Sequence, residues 1–187
     1  IAGLAAAHYL GQAHEVVLYC DQAKLGGHTN TVVVQEGPRP IAIDTGFIVF
    51  NTSTYPNFMA FLRELGVAWA PSDMTLSVRS EARDFEYAGT SVASLFAQRR
   101  NLASPRFMRM LADLRRFYRL APALVDAPAE LTLAAWLAQH DFSAAFYEDH
   151  LEPLVRAVWS ADAPVAAAFP ARFMARFFAN HGFLQVA

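Results

Sequence analysis

The run Leu25-Gly26-Gly27-His28-Thr29-Asn30-Thr31 decides how the chain is read. Before it, His14-Glu15-Val16-Val17-Leu18-Tyr19-Cys20 starts polar and runs through β-branched and apolar residues to a turn signal, which predicts a strand. Earlier still, Ile1-Ala2-Gly3-Leu4-Ala5-Ala6-Ala7-His8-Tyr9-Leu10 reads as a glycine turn entering an Ala-rich helix. After the glycine pair, Thr31 to Gln35 and Pro40 to Asp44 read as strands joined by the compact turn Glu36-Gly37-Pro38-Arg39.

Turn, helix, strand and a second glycine pair follow the order of a dinucleotide-binding βαβ unit whose first strand has been cut away. Gly3 takes the place of the last glycine in a G-x-G-x-x-G turn, where a missing side chain lets helix and strand pack closely. The first two glycines of that turn are not in the sequence, so the N-terminus reads as lying inside the motif. Gly26 and Gly27 would let backbone N–H groups come close to a pyrophosphate that a Cβ would obstruct. Taken alone, a Gly-Gly pair equally fits an ordinary turn after a strand.

Gly3 through Cys20 to Gly26-Gly27-His28-Thr29, followed by Ile43-Asp44-Thr45-Gly46-Phe47, resembles the FAD-binding N-terminus of the flavin amine oxidase superfamily. More closely, Gly26 to Val32, Asp44 to Asn51 and Thr54-Tyr55-Pro56-Asn57 resemble a bacterial branch of FAD/NAD-binding amine-oxidase-like proteins. Phe96 to Asn101, Phe169 to Phe173 and Phe177 to Gly182 extend that likeness. The resemblance implies an α/β architecture: a Rossmann-like FAD-binding domain lacking its first strand, then a mainly helical portion of a substrate domain. It implies that Ile1, Ala2, Gly3, Gly26, Gly27, His28 and Thr29 surround the pyrophosphate. Cys20 or Asp21 would meet the ribose, and Asp44 with Gly46 would approach the flavin end.

Two positions depart from that family's pattern. Such proteins usually carry Glu at the end of the second strand to accept ribose hydrogen bonds; Cys20 stands there, a poor acceptor, with Asp21 beside it. Adjacent strand residues face opposite sides, so Asp21 can substitute only where the strand has already broken. His28 stands where amine oxidases proper place Arg, and supplies a weaker, pH-dependent charge. His is the expected residue in the bacterial branch.

The 187 residues suit one domain, or a Rossmann-type lobe with part of another. Flavoproteins of this type are considerably longer, and the ending Gly182 to Ala187 carries no stop signal, so the chain reads as an N-terminal piece, expected to be inactive by itself. Its apolar share of 55% suits either surfaces meant for missing strands or a wall for an apolar substrate. One cysteine leaves no internal disulfide and fits a reducing cytoplasm. No apolar run approaches the roughly 18 residues that span a bilayer, and Ile1 to Leu10 lacks the basic flank of a signal peptide.

Pro56 opens a helix in which Phe58, Phe61, Leu62 and Leu65 recur at helical spacing as core residues, with Gly66 as its stop. Met74 to Val78 alternates like a half-buried strand with Asp84 to Tyr87 as its partner. Beyond Gly89 the pattern turns helical, which sets a boundary between residues 1–89 and 90–187. Helices are expected from Ser91 to Arg100, from Ser104-Pro105, from Thr132 to His140, from Ser143 to Leu151 with continuation past Pro153 to Trp159, and from Pro170 to Asn180. Ala121-Pro122 and Asp126-Ala127-Pro128 read as linkers. Trp159 and its neighbouring Phe residues read as core rather than cavity lining.

From Arg99 to Arg119 there are seven Arg and one acid, Asp113. That stretch can be a solvated helix face, or a peripheral contact with anionic membrane or an acidic substrate; no reading motif accompanies it for nucleic acid. The six His have no metal-ligand spacing, no G-x-S-x-G occurs, and Cys20 reads as a buried strand residue. No catalytic residue is assigned, because a flavin carries its own chemistry, and the sole Lys, Lys24, lies on the adenine-side loop. The expected activity is FAD-dependent removal of a hydride from a C–N or C–C bond of a largely apolar small molecule. A lipid or isoprenoid desaturase-like enzyme and a non-catalytic anionic-lipid-binding module are the alternatives, with NAD as sole cofactor a weaker one.

Overall fold

The structure is a computed structural model that describes residues 1–184. Gln185-Val186-Ala187, part of the ending read above for its lack of a stop signal, lies outside the described residues. The chain forms two compact units, Ile1–Gly66 and Val67–Ala187. The change from strands to helices after Gly89 falls inside the second.

In the first unit, α1 spans Ala2–Leu10, α2 spans Pro56–Glu64, and β1 (Asn30–Glu36) pairs antiparallel with β2 (Arg39–Gly46). The hairpin turns through Gly37 and Pro38 with Glu36 opposite Arg39, and Gly37 takes the positive φ of 61° that a tight hairpin needs. Pro56 sits in the first turn of α2, where its missing N–H costs nothing, and Gly66 follows the helix with φ 65°. The two helices are tied by Glu64, which accepts the Tyr9 hydroxyl at 2.9 Å and lies 2.8 Å from His8 Nε2. Phe61 packs its ring on both His8 and Tyr9.

Three expectations for this unit need correction. The segment expected as a strand from His14 to Cys20 has no regular structure over residues 15–20, because a strand needs a hydrogen-bonded neighbour and no described segment pairs with it. Cys20 is exposed rather than buried, for the same reason: no second layer covers the segment. On α2, Met59 is the buried residue; Phe58, Phe61 and Leu62 are half-buried, and Leu65 is exposed because it is already the C-cap.

The second unit begins with β3 (Ser77–Ser80) and β4 (Phe85–Ala88), antiparallel about the turn at residues 81–84. The expected strand from Met74 is thus displaced three residues along. Its partner ends at Ala88, since Ser91 already caps the next helix, so Met74 and Thr75 have nothing to pair with. Then comes α3 (Val92–Leu95), which stops short of the expected Arg100 because the backbone leaves helical geometry at Phe96; a 3-10 turn (Arg99–Ala103), α4 (Pro105–Leu120), a second 3-10 turn (Ala121–Asp126), α5 (Leu133–Gln139) and α6 (Ala144–Phe146) follow. A π-turn at Tyr147–Leu151 leads directly into α7 (Glu152–Trp159), followed by α8 (Ala163–Ala168) and α9 (Ala171–Asn180).

Side-chain caps set most of these starts. Ser104, Thr132, Ser143 and Asp162 each accept the backbone N–H three residues on. The core gathers Phe117, Leu133, Trp136, Phe146, Leu151, Val155, Met174 and Phe178, with Trp159 packed on Phe169 and Phe177 at its side. Ala121 and Leu124 are buried in it, so the segment read as a linker is a packed turn whose apolar residues face inward.

Candidate functional site

The candidate site of the first unit is built where α1 begins. No side chain caps that end, and its first turn carries no acid. Ala5 N–H is the first in the helix to find an internal acceptor, Ile1 O, at 2.9 Å. The backbone donors before it and the positive end of the helix dipole are the features that phosphate-binding helix starts share.

The glycine pair comes to this point. The Ile1 nitrogen donates to Gly26 O at 2.8 Å, and Gly26 and Gly27 have φ of 113° and 64°, conformations that side-chain-bearing residues rarely adopt. Thr29 closes the turn, its hydroxyl donating to Gly26 O at 2.9 Å. At the far end of the hairpin, a Cβ on Gly46 would collide with the His28 carbonyl oxygen, so only glycine lets β2 end against the turn. Beside it the ladder bulges: Asn30 is opposite Gly46 and Thr31 opposite Asp44, which leaves Thr45 unpaired. Asn30 Nδ2 donates to the Thr45 hydroxyl at 2.7 Å, and Lys24 donates to Asn30 Oδ1, so the loop and the bulge are held together.

Ile1, Ala2 and Gly3, with Gly26, Gly27, His28, Thr29 and Gly46, therefore form one cluster. A Cβ on Gly3 would lie 3.3 Å from the end of the Leu18 side chain, a tight approach that the absent side chain avoids. Asp44 is one step removed. Its Oδ1 accepts the Thr31 hydroxyl at 2.6 Å across the hairpin, a role in the strand pair rather than in a turn or cap. Cys20 and Asp21 are exposed, and the chain bends at Asp21, so the run breaks at the point where Asp21 could replace the missing Glu.

A second polar cluster, in the second unit, was not foreseen. Pro153 has no N–H to offer the Asp149 carbonyl in the ordinary helical register, and the helix widens there into the π-turn, a form often found at functional positions. The Asp149 carbonyl accepts the Tyr87 hydroxyl at 3.2 Å, and the same hydroxyl lies 2.6 Å from His150 Nδ1. Burial lowers the His150 pKa to about 4 and pushes the Tyr87 hydroxyl well above its ordinary value. The Asp149 carboxylate is held by Arg106 Nε at 2.6 Å and Arg83 Nη2 at 2.6 Å, and Glu148 takes Arg106 Nη2 at 2.6 Å. His150 and Tyr87 are 63 residues apart, so no local pattern could have joined them.

The arginine-rich stretch is divided by these contacts. Arg106 is engaged as described, Arg100 pairs with Asp84 at 2.5 Å, and Arg109 and Arg116 flank Asp113. No ion pair among the described residues takes Arg99, Arg115 or Arg119, and all three are exposed. No described helix is long and apolar enough to cross a membrane.

Residues 1–65 match the family model of an NAD(P)-binding Rossmann-like domain. The matched span coincides with the first compact unit, whose glycine cluster and helix start are the parts such a domain uses on a dinucleotide. The likeness is to dinucleotide-binding domains of oxidoreductases and leaves NAD(P) and FAD both open. No curated protein matches the chain.

Proposed function

We propose that the protein is an FAD-dependent oxidoreductase of the amine-oxidase-like type, with the dinucleotide on the first unit. The observation that carries this reading is the uncapped start of α1 lying beside the positive-φ pair Gly26-Gly27, where a Cβ on Gly27 would come within 3.9 Å of Ile1. Those residues suit a pyrophosphate: the first turn of α1 has no side-chain cap, and Gly26 and Gly27 carry no side chain to fill the approach. FAD is favoured over NAD(P) by the likeness of Gly26 to Val32 and of Asp44 to Asn51 to flavin-binding sequences, and by the return of Gly46 to the glycine turn.

On this reading the backbone of Ala2 and Gly3, with Gly26 and Gly27, holds the pyrophosphate, and His28 adds a pH-dependent charge. Asp21, exposed where the chain bends, accepts from the ribose in place of the usual Glu. Gly46 keeps the end of β2 close enough to meet the flavin end. When bound, FAD supplies the two-electron chemistry that removes a hydride from a C–N or C–C bond of a largely apolar substrate.

The test is separate titration of the chain with FAD, NAD⁺ and NADP⁺, followed by calorimetry and, for FAD, by flavin fluorescence. FAD is expected to bind, and Gly27→Val to weaken it by at least about tenfold. Binding of a nicotinamide dinucleotide with no binding of FAD would replace the flavin assignment. Failure of all three would overturn the oxidoreductase reading.

A further inference from the structure

The second unit holds a cavity of about 650 Å³, within the usual size range for small-molecule sites. Leu76, Leu114 and Leu154 stand among its walls, with Asp73, Tyr87, Tyr118 and His150 as polar lining residues. His150 is only 8% exposed. A buried histidine facing a cavity needs a chemical account, since most buried polar atoms are fully partnered.

The hydrogen-bond pattern assigns its tautomer. The Tyr87 hydroxyl has one proton, and the Asp149 carbonyl can only accept. Both contacts of that hydroxyl, 3.2 Å to Asp149 and 2.6 Å to His150, are satisfied together when it donates to Asp149 and accepts from His150 Nδ1–H. Nδ1 then carries the ring's proton, and Nε2 is left as a lone-pair acceptor. Among the described residues, no hydrogen-bond partner falls to Nε2. Tyr87 is itself fixed by Asp149, whose carboxylate the two arginines hold, so the acceptor is rigidly mounted.

We propose that this cavity is a binding site for an uncharged molecule with an apolar body and one hydroxyl group, which donates its hydrogen bond to Nε2 of His150. An anion is disfavoured because a lone pair faces it. The buried His150 end favours an uncharged donor, and because Asp73 also lines the cavity an amine is the rival that the test separates. The leucine walls take the apolar body, at a gain proportional to the area removed from water. The assignment stands on the second unit alone and does not depend on which dinucleotide the first unit binds.

The experiment is a long-range ¹H–¹⁵N NMR titration of the histidine ring nitrogens in the intact chain near neutral pH. The probes are 4-phenylbutan-1-ol, its methyl ether and 4-phenylbutylamine. In the free protein His150 is expected as the Nδ1–H tautomer. The alcohol should shift its Nε2 resonance saturably, while the ether, which lacks the donor, binds about tenfold more weakly. Tyr87→Phe removes the hydroxyl that fixes the ring and should weaken the alcohol several-fold while leaving the cavity walls in place. An Nε2–H tautomer in the free protein, equal binding of alcohol and ether, or tighter binding of the amine would each overturn the proposal, as would no saturable shift. The first readouts use the unaltered chain, so the result does not hang on a variant that fails to fold.

Discussion

Asp113, in the middle of α4, accepts the backbone N–H of Ser143 at 3.0 Å, 30 residues along the chain. Ser143 caps α6, so one buried carboxylate fixes where the helix carrying His150 begins. Asp113 also takes Arg109 Nε at 3.2 Å, and Arg116, which stacks over the Phe142 ring at 4.3 Å, lies beside it.

Burial pushes the Asp113 carboxyl up, but the Ser143 hydrogen bonds and the Arg109 guanidinium outweigh it and hold the carboxyl below its usual range. A depressed carboxylate contributes stability that is present above its unfolded pKa of about 3.9 and lost as pH falls through the lower folded value. Urea denaturation should therefore show Asp113→Asn flattening the acid limb of stability below about pH 4. Asp113→Ala, which orphans the Ser143 N–H, should cost roughly 2 kcal/mol at neutral pH.

His150 gives the opposite kind of group and the same direction of pH dependence. Its pKa falls from 6.5 unfolded to about 4 folded, so between those values the unfolded chain binds a proton that the folded chain does not. Stability should drop on acidification through that window, by up to roughly 3 kcal/mol, and level off below it. Tyr87 and Phe146 pack on the ring, and burial is the cause of the shift. An NMR titration of the ring carbons with a midpoint above pH 6 would contradict the packing described for it.

Gly46 and Gly66 separate two reasons for glycine. At Gly46 an added Cβ meets the His28 carbonyl, backbone that cannot step aside, so Gly46→Ala should disturb the glycine turn and reduce dinucleotide affinity by about tenfold or more. Gly66 has open space around it and only its φ of 65° to defend. Gly66→Ala should therefore cost about 1 kcal/mol of stability and leave affinity unchanged. Parallel nucleotide titration and thermal melting of the two variants would separate the two effects.

Within the basic stretch, stability should depend on which arginines have partners. Arg106→Ala leaves buried Asp149 with Arg83 alone, and because Arg106 is itself 41% exposed the loss should be modest, about 1–2 kcal/mol. Arg115→Ala and Arg119→Ala should each change stability by less than about 0.5 kcal/mol. Denaturation midpoints for the three variants would show whether the charge of this stretch acts inside the fold or only at its surface.

What the sequence disclosed and what it withheld divide along the range of the interactions. Pro56, Gly66, Ser104, Thr132 and Ser143 mark helix ends through bonds to residues a few positions away, so their types alone located those ends. Gly37 located the hairpin for the same reason. The segment ending at Cys20 has the composition of a strand, but strand formation depends on a neighbour that composition cannot supply. The glycine cluster was legible because its geometry is encoded in residues that lack side chains. The Tyr87–Asp149–His150 arrangement was not, because a proline, a widened turn and a distant hairpin combine to make it. The short helix from Ala163 also escaped notice, since its run of small residues has no apolar period to read.

The β1–β2 hairpin has a consequence at the level of the solution. Among the described residues each strand has one partner, so each has an outer side that no other described strand covers. Val32, Val33 and Val34 on one strand and Ile41 and Ile43 on the other are all exposed. β-branched side chains beside an open ladder favour the addition of another strand, and a second copy of the same hairpin can provide one. At high protein concentration, self-association should begin there, and a charged residue in place of Val33 should delay it.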